Sequence, residues 1–166
     1  MYQIGDRVVY GIHGVCQIVA VEKRNVDRKQ VEYFALEPLH QRGSCYYVPT
    51  QNQAALAKLH PLLTRREMLD LLDSEDAHRE CWIPDEGRRK LRYRELLATC
   101  DRAELLSMVG CLYRYKDEQI AKGRKFHICD ENFLRDARKV LDSEIALVLE
   151  MEQSQVEEFL RSYFVT

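Results

Sequence analysis

The first half of the chain takes its fold from the stretch Val15-Cys16-Gln17-Ile18-Val19-Ala20-Val21-Glu22-Lys23. Cys16, Ile18 and Ala20 share one side of this stretch and the residues between them share the other, which is the period of a β-strand. Other short runs rich in β-branched and aromatic residues, separated by turns, lie at residues 7–11, 31–36 and 45–48, with residues 56–59 as a candidate fifth. This pattern predicts a small antiparallel β-barrel.

After Pro61 the apolar residues recur at helical steps, most clearly at residues 133–149, and Gly123 is placed to end an earlier helix. Patterns that start helices occur at residues 64–67, at Asp85, at residues 101–104 and at residues 154–157. We therefore predict an α+β protein with two domains. Residues 1–60 form the β-barrel, and residues 61–166 form an all-α helical bundle.

The charge differs between the two halves. The 166 residues carry a net charge of −2 at pH 7. Residues 1–60 hold seven Lys/Arg against five Asp/Glu, which gives +2, and the remaining 18 Lys/Arg against 22 Asp/Glu give −4. A protein that binds nucleic acid over its whole surface is usually strongly basic. Any contact with DNA is therefore expected to be local, or assisted by a partner.

Neither a membrane span nor an export signal is visible in the sequence. No apolar run approaches the roughly 20 residues that cross a bilayer, and the residues after Met1 lack the apolar core of a secretory signal. The six cysteines form no CxxC pair and no zinc-finger spacing. We expect a cytoplasmic protein with reduced cysteines. Metal or redox sensing through the cysteines remains a third hypothesis, against which their scatter in the sequence argues.

The sequence lacks the motifs of common enzyme sites. GxGxxG, GxxxxGK[ST], GxSxG and HExxH are all absent. The five histidines are scattered and stand in unrelated contexts. We predict that the protein is not an enzyme, and we expect no cofactor, no bound metal and no small-molecule substrate.

Two groups of residues are candidates for contacts with partners. Residues 88–94 hold five cations in seven positions, and Arg88 and Arg92 lie one turn apart on a helix, so they could contact phosphates together. The alternative is a solvated helix face neutralised by neighbouring acidic residues. Trp82 is either a wedge that stacks on bases or a ring that packs on the bundle. In the barrel, Arg24 and the pair Tyr46-Tyr47 are typical of protein-binding surfaces.

Adjacent residues of a strand point to opposite faces, so we expect one of the two tyrosines to belong to the core. The other is then free to contact a partner together with Arg24.

Motifs in both halves resemble the CarD family of bacterial transcription regulators, and its Firmicute members in particular. In the first half these motifs are Ile4-Gly5-Asp6-x-Val8-Val9-Tyr10-x-x-His13-Gly14-Val15, Glu32-Tyr33-x-x-Leu36 and Tyr47-Val48-Pro49. In the second half they are Trp82-Ile83 before an Arg-rich helix, Asp101-Arg102-x-Glu104-Leu105, Leu112-Tyr113, Lys116-x-Glu118-Gln119, Gly123-x-Lys125-x-His127 and Ala146-x-Val148-Leu149. The first half is also similar to the RNA polymerase-interacting domain of the transcription-repair coupling factor.

The resemblance implies a Tudor-like or SH3-like barrel that binds the β subunit of RNA polymerase. It also implies that the helical domain contacts promoter DNA near the upstream edge of the melted region and stabilises the open complex without reading sequence. Arg24, Tyr46 and Tyr47 are the residues expected at the polymerase. Trp82, Arg88, Arg89 and Arg92 are the residues expected at DNA.

The alternative is a docking module for polymerase or another protein that does not bind DNA. The acidic excess of residues 61–166 and the five residues between Trp82 and Arg88 favour this alternative.

Overall fold

The structure, a computed structural model, describes residues 1–165. It divides the chain into two compact units. The N-terminal unit is Met1–Leu62, and the C-terminal unit begins at Leu63.

The N-terminal unit is built on one antiparallel sheet. Its strands are β1 (Arg7–Tyr10), β2 (Val15–Val26), β3 (Lys29–Pro38), β4 (Tyr46–Pro49) and β5 (Leu59–Pro61). The order across the sheet is β4-β3-β2-β1-β5. One helical turn, α1 (Gln53–Leu56), precedes β5, and the Asn52 side chain caps it by accepting a hydrogen bond from the Ala55 amide. A 3₁₀ turn at Gly11–His13, between β1 and β2, completes the regular structure of this unit.

The long hairpin of β2 and β3 turns at Asp27 and Arg28. Both residues have positive φ, 49° and 64°, and Val26 pairs with Lys29 across the turn. This is the two-residue geometry whose twist suits a hairpin, which asparagine or glycine usually supplies. A β-bulge between Ile18 and Ala20 shifts the register of β2.

The sheet is open, and this corrects the predicted barrel. Within residues 1–165, β4 pairs with β3 and β5 pairs with β1, and these two edge strands do not pair with each other. The edge strands are only four and three residues long, so the sheet ends on both sides before it can close. The strand pattern does predict the antiparallel sheet, because short alternating runs look the same in open and closed sheets.

One face of the sheet carries the core of the N-terminal unit. Its buried members are Val8, Cys16, Ile18, Phe34, Leu36, Val48 and Leu59. They come from all five strands, so the core joins the hairpin to the edges of the sheet.

The C-terminal unit is helical. Its helices are α2 (Arg65–Asp73), α3 (Glu86–Thr99), α4 (Arg102–Ala121), α5 (Ile128–Val148) and α6 (Val156–Phe164). Together with the sheet before them, these helices confirm the predicted order of a β half followed by an α half.

Helix α4 lies at the centre of the unit and packs against α2, α3, α5 and α6. Every residue from Leu105 to Tyr113 is buried. A helix that is buried on all sides has no polar stripe.

Polar caps fix the helix starts close to their predicted places. Thr64 and Glu67 form a complete capping box on α2, Asp85 caps α3 by accepting a hydrogen bond from the Arg88 amide, and Asp101 caps α4. The final helix predicted at residues 154–157 is present as α6, but the predicted cap is wrong, because none of the described side chains caps α6. Glu152 and Gln155 form the capping box there, on a short 3₁₀ turn at Gln153–Gln155 that leads into α6.

Among the helices of residues 1–165, none combines the length and the apolar character that crossing a bilayer requires.

Candidate functional site

Arg24 and Tyr47 meet on the surface of the N-terminal unit. The Arg24 guanidinium carbon lies 3.9 Å from the centroid of the Tyr47 ring, and Arg24 Nη2 donates a hydrogen bond of 3.1 Å to Glu22 Oε2. Both Arg24 and Tyr47 are exposed. A guanidinium over an aromatic face is an attractive arrangement that also fixes the orientation of both groups. We call Glu22, Arg24 and Tyr47 the Arg24–Tyr47 patch.

The neighbours of Arg24 and Tyr47 raise the pKa of both side chains. The hydrogen bond to Glu22 raises the pKa of Arg24. The neighbouring Cys45 side chain raises the pKa of the Tyr47 hydroxyl. The patch therefore presents a cation, a neutral phenol and a carboxylate side by side.

Tyr47 places the patch at an edge of the sheet. It exposes 37% of its surface and lies on the edge strand β4, where the backbone of a partner can approach. An exposed aromatic ring beside an arginine is a combination enriched in protein-binding surfaces.

Tyr46 lies on the other side of β4 from Tyr47. Its ring stacks on His13 with 3.8 Å between centroids, and it packs against the buried core of the sheet. Partial burial lowers the pKa of His13. The expectation that one tyrosine belongs to the core is confirmed, and Tyr46 does not lie in the Arg24–Tyr47 patch.

The adjacent arginines of α3 have opposite environments. Arg88 is exposed, and within residues 1–165 its side chain makes no hydrogen bond or ion pair. Arg89 exposes only 6% of its surface. Its Nε and Nη2 donate to Asp130 at 2.9 and 3.0 Å, and its Nη1 donates to the Ile83 carbonyl at 3.0 Å.

This burial corrects the placement of Arg89 among the DNA-contacting residues. Its donors already have partners inside the unit, so none is directed outward to a phosphate. Burial alone would lower the pKa of Arg89, but the Asp130 carboxylate outweighs that effect and raises it. Arg89 is a permanently charged residue that joins α3 to α5.

Trp82 is engaged on its ring faces. It stacks on Tyr115 with 3.7 Å between centroids, and the Arg89 guanidinium lies over the ring at 4.3 Å. Trp82 also packs against the buried core of the C-terminal unit. A wedge residue needs a free face to stack on a base, so these contacts favour packing over wedging.

Arg92 is exposed on α3 but is neutralised locally. Its guanidinium pairs with Glu95 at 3.5 Å and with Glu104 at 3.4 Å. Exposed pairs of this kind are weak, so a phosphate could compete with either carboxylate. Arg88 and Arg92 therefore remain together on one exposed face, with Leu91 between them exposing 61% of its surface.

Sequence reasoning missed Asp130 and Tyr115, the residues that hold Arg89 and Trp82. Asp130 lies 41 residues from Arg89, and no local signal connects them. Helical period does contain a signal for Arg89, because it lies one turn before Tyr93 on the side of α3 that is buried.

Three potential metal ligands also meet in this unit. The ligand atoms of Glu86, His127 and Cys129 lie within 4.8 Å of one another. However, Lys90 Nζ lies 2.6 Å from Glu86 Oε1, and His127 Nδ1 accepts a hydrogen bond from the Cys129 amide as the cap of α5. An ammonium group and a capped helix start already use two of the three groups.

Comparison with known families adds one finding. Residues 2–60 match the family model described as the CarD-like/TRCF RID domain. This match covers α1 and all of the sheet except its last residue, Pro61, and therefore includes the Arg24–Tyr47 patch. No curated protein matches the chain.

Proposed function

Because residues 2–60 of this chain match the CarD-like/TRCF RID domain model, we propose that the protein is a non-enzymatic transcription regulator that binds RNA polymerase through its N-terminal unit. The family match is the observation that carries this proposal. The partner surface on the polymerase is its β subunit, as the resemblance implies.

The Arg24–Tyr47 patch is the surface proposed to contact the β subunit. Arginine and tyrosine are the residue types that most often dominate binding energy in interfaces. Since the cation–π contact with Tyr47 and the ion pair with Glu22 hold Arg24 in place before binding, less side-chain entropy is lost when a partner docks.

A binding experiment with the isolated β lobe tests this surface. We expect the full chain to bind the lobe and Arg24→Glu to weaken binding by more than about 30-fold, which corresponds to a hot spot of 2 kcal/mol. Lys23→Glu is the matched control, because Lys23 is exposed and precedes Arg24 in the same strand, so its side chain points to the opposite face. Absence of binding by the unchanged chain would overturn the polymerase proposal. An equal loss in both variants would overturn the patch.

The finer part of the proposal concerns promoter DNA. Arg88 and Arg92, one turn apart and exposed on α3, are proposed to contact phosphates near the upstream edge of the melted region without reading sequence. Two arginines give little affinity on their own. Docking on polymerase raises their effective concentration at the promoter, and a preference of 1.4 kcal/mol for open DNA would shift the melting equilibrium about tenfold.

Promoter opening by polymerase, followed by fluorescence of a reporter base, tests this contact. We expect the full chain to increase the open fraction and Arg88→Ala/Arg92→Ala to remove most of the increase. Arg135→Ala is the control, since Arg135 is exposed on another helix, α5. If the unchanged chain binds the β lobe but has no effect on opening, the DNA contact fails and the polymerase contact stands.

The second candidate function is a docking module that does not touch DNA. The ion pairs of Arg92 with Glu95 and Glu104 favour it, because they neutralise one of the two arginines proposed to bind phosphate. The same opening experiment separates the two candidates.

A further inference from the structure

Two cysteines that are distant in the sequence meet inside the C-terminal unit. Cys81 lies in the segment before α3, and Cys111 lies in the middle of α4. The Cys81 amide donates a hydrogen bond of 3.1 Å to Cys111 Sγ across a separation of 30 residues. Although the cysteines are scattered along the chain, the fold thus brings two of their thiols together as a dithiol.

The two sulfurs have different hydrogen-bond partners. Cys111 Sγ donates a hydrogen bond of 2.9 Å to Glu80 Oε1, and Arg114 Nη2 donates one of 3.4 Å to Cys111 Sγ. Glu80 can thus accept the proton that Cys111 releases, and the Arg114 cation stabilises negative charge beside the pair.

Cys81 is the sulfur that more readily becomes a thiolate. The neighbouring Cys111 side chain lowers the pKa of Cys81 to about 7, against the effect of burial. The Tyr93 hydroxyl is fully buried and has no hydrogen-bond partner within residues 1–165, and its proximity also lowers the pKa of Cys81. A thiolate at Cys81 would give this hydroxyl an acceptor. The neighbouring Cys81 side chain and burial raise the pKa of Cys111.

Access from outside also favours Cys81. It lines a cavity of about 300 Å³ together with charged residues, including Arg79, Arg92, Asp76 and Asp101. Cys111 exposes only 2% of its surface. A small polar reagent that enters the cavity therefore meets Cys81 first, with Cys111 behind it.

From this arrangement we propose that Cys81 and Cys111 are a modification site that a hydroperoxide oxidises to an intramolecular disulfide. The Cys81 sulfur attacks the terminal peroxide oxygen, the O–O bond breaks, and Cys81 becomes a sulfenic acid as hydroxide or alkoxide leaves. Cys111 then releases its proton to Glu80 and attacks the Cys81 sulfur, the S–O bond breaks, and the departing hydroxide takes up a proton to become water. Two thiols lose two electrons, and the peroxide is reduced by the same two electrons.

The disulfide would have a local structural consequence. It would link the segment before α3 covalently to α4, whereas that segment is now held at Cys81 by hydrogen bonds. Trp82, the next residue, lies in the same segment. Ile83, whose carbonyl accepts a hydrogen bond from Arg89, lies there too. Oxidation would therefore restrict the movement of the segment that contacts Arg89.

The other cysteines provide internal comparisons. Burial raises the pKa of Cys100 and raises the pKa of Cys16 to about 11, so both are expected to react slowly. Cys45 is exposed and could form disulfides between molecules. The test therefore uses the full chain with Cys45→Ser.

The first measurement needs no change at the pair itself. The Cys45→Ser protein is treated with hydrogen peroxide, its remaining thiols are alkylated, and its peptides are mapped without reduction. We expect a peptide linked through Cys81 and Cys111. Before oxidation, we expect iodoacetamide at pH 7 to label Cys81 at least about tenfold faster than Cys100, in line with its larger thiolate fraction.

Two further variants test the order of the steps. With Cys111→Ser, the sulfenic acid of Cys81 has no second thiol, so we expect a dimedone adduct at Cys81. With Cys81→Ser, we expect no adduct at Cys111. Circular dichroism checks that both variants fold. The proposal is overturned if peroxide leaves both cysteines reduced in the Cys45→Ser protein, or if Cys81 is labelled no faster than Cys100.

Discussion

Arg88 and Arg89 are neighbours in the sequence, yet one is free at the surface and the other is held inside the C-terminal unit. The bidentate contact between Arg89 and Asp130 is nearly sealed from water, since the two side chains expose 7% and 1%. A pair of this kind need not stabilise the fold relative to apolar residues, but loss of one partner leaves a buried charge without compensation. The role of Arg89 is therefore to bind α3 to α5.

Arg89→Ala should destabilise the protein by about 3–5 kcal/mol, because Asp130 would keep its burial and lose its counter-charge. Urea denaturation followed by circular dichroism measures this loss. Arg88→Ala is the matched control and should change the unfolding free energy by less than about 0.5 kcal/mol. Equal effects of the two substitutions would contradict the buried pair.

Asp142 should make stability depend on pH in an unusual direction. Burial raises the pKa of Asp142 from 3.8 to about 6, although Arg138 acts in the opposite direction. Arg138 Nη2 donates to Oδ2 at 2.9 Å, whereas Oδ1 has no hydrogen-bond partner within residues 1–165. Because the folded state holds this proton more tightly than the unfolded state, the stabilisation is complete below about pH 4 and is lost as the pH rises to about 6.

The test compares the wild-type chain with Asp142→Asn in urea denaturation between pH 4 and pH 7. The Asn variant should gain stability relative to the wild type as the pH rises through this window, because its side chain cannot ionise. A difference that stays constant, or that changes in the opposite direction, would show that Asp142 ionises without cost in the folded protein.

Helix α4 shows how one element organises the C-terminal unit. Four helices cover it, and Gly110 lies where α6 approaches. A Cβ atom at Gly110 would lie 3.1 Å from Cβ and Cγ of Phe164, which is closer than ordinary van der Waals contact. Phe164 is itself buried, so its ring has little room to move. The glycine is explained by this close packing of α6 on α4.

Gly110→Ala should therefore lower the free energy of unfolding by about 1–3 kcal/mol, as overpacking of a core does, despite the better helix propensity of alanine. Gly87→Ala in α3 is the control. Its added Cβ would meet the Asp85 carboxylate at 3.4 Å, so no loss of stability is expected there. Thermal unfolding of both variants measures the difference, and a stabilised Gly110→Ala protein would contradict the close approach of Phe164.

The molecule as a whole combines a slightly basic N-terminal unit with an acidic C-terminal unit. The charge of the second half opposes binding to bare DNA, so the proposed phosphate contacts depend on a few local arginines and on docking to polymerase. The salt dependence of binding is the property that reports such contacts.

The affinity of the full chain for a polymerase–promoter complex should fall with rising salt, and Arg88→Ala/Arg92→Ala should reduce the slope of log K against log salt by about 2, about 1 for each phosphate contact. Binding to the free duplex should be weak at physiological salt. Measurements at several salt concentrations with fluorescence anisotropy check both statements. An unchanged slope would favour the docking module that does not contact DNA.

Much of the local architecture follows from short stretches of the chain. Alternation at residues 15–23 predicts the strand that the structure shows as β2, Asp85 and Asp101 predict helix starts, and Gly123, with φ of 69°, follows the end of α4 as expected. Each of these features depends on a residue and its neighbours within about one turn or one strand. They can therefore be predicted from the sequence alone.

Contacts between residues that are distant in the sequence cannot be predicted from such local patterns. The counter-charge of Arg89, the stacking of Trp82 on Tyr115, the meeting of Cys81 with Cys111 and the open edges of the sheet depend on how elements pack. A pattern along one element shows which side is apolar, but it does not show which residue of another element covers that side. The strands, the helices and most of the caps could therefore be predicted from the sequence. Only the tertiary structure decided which arginine is free and which is buried, because burial depends on neighbours in space.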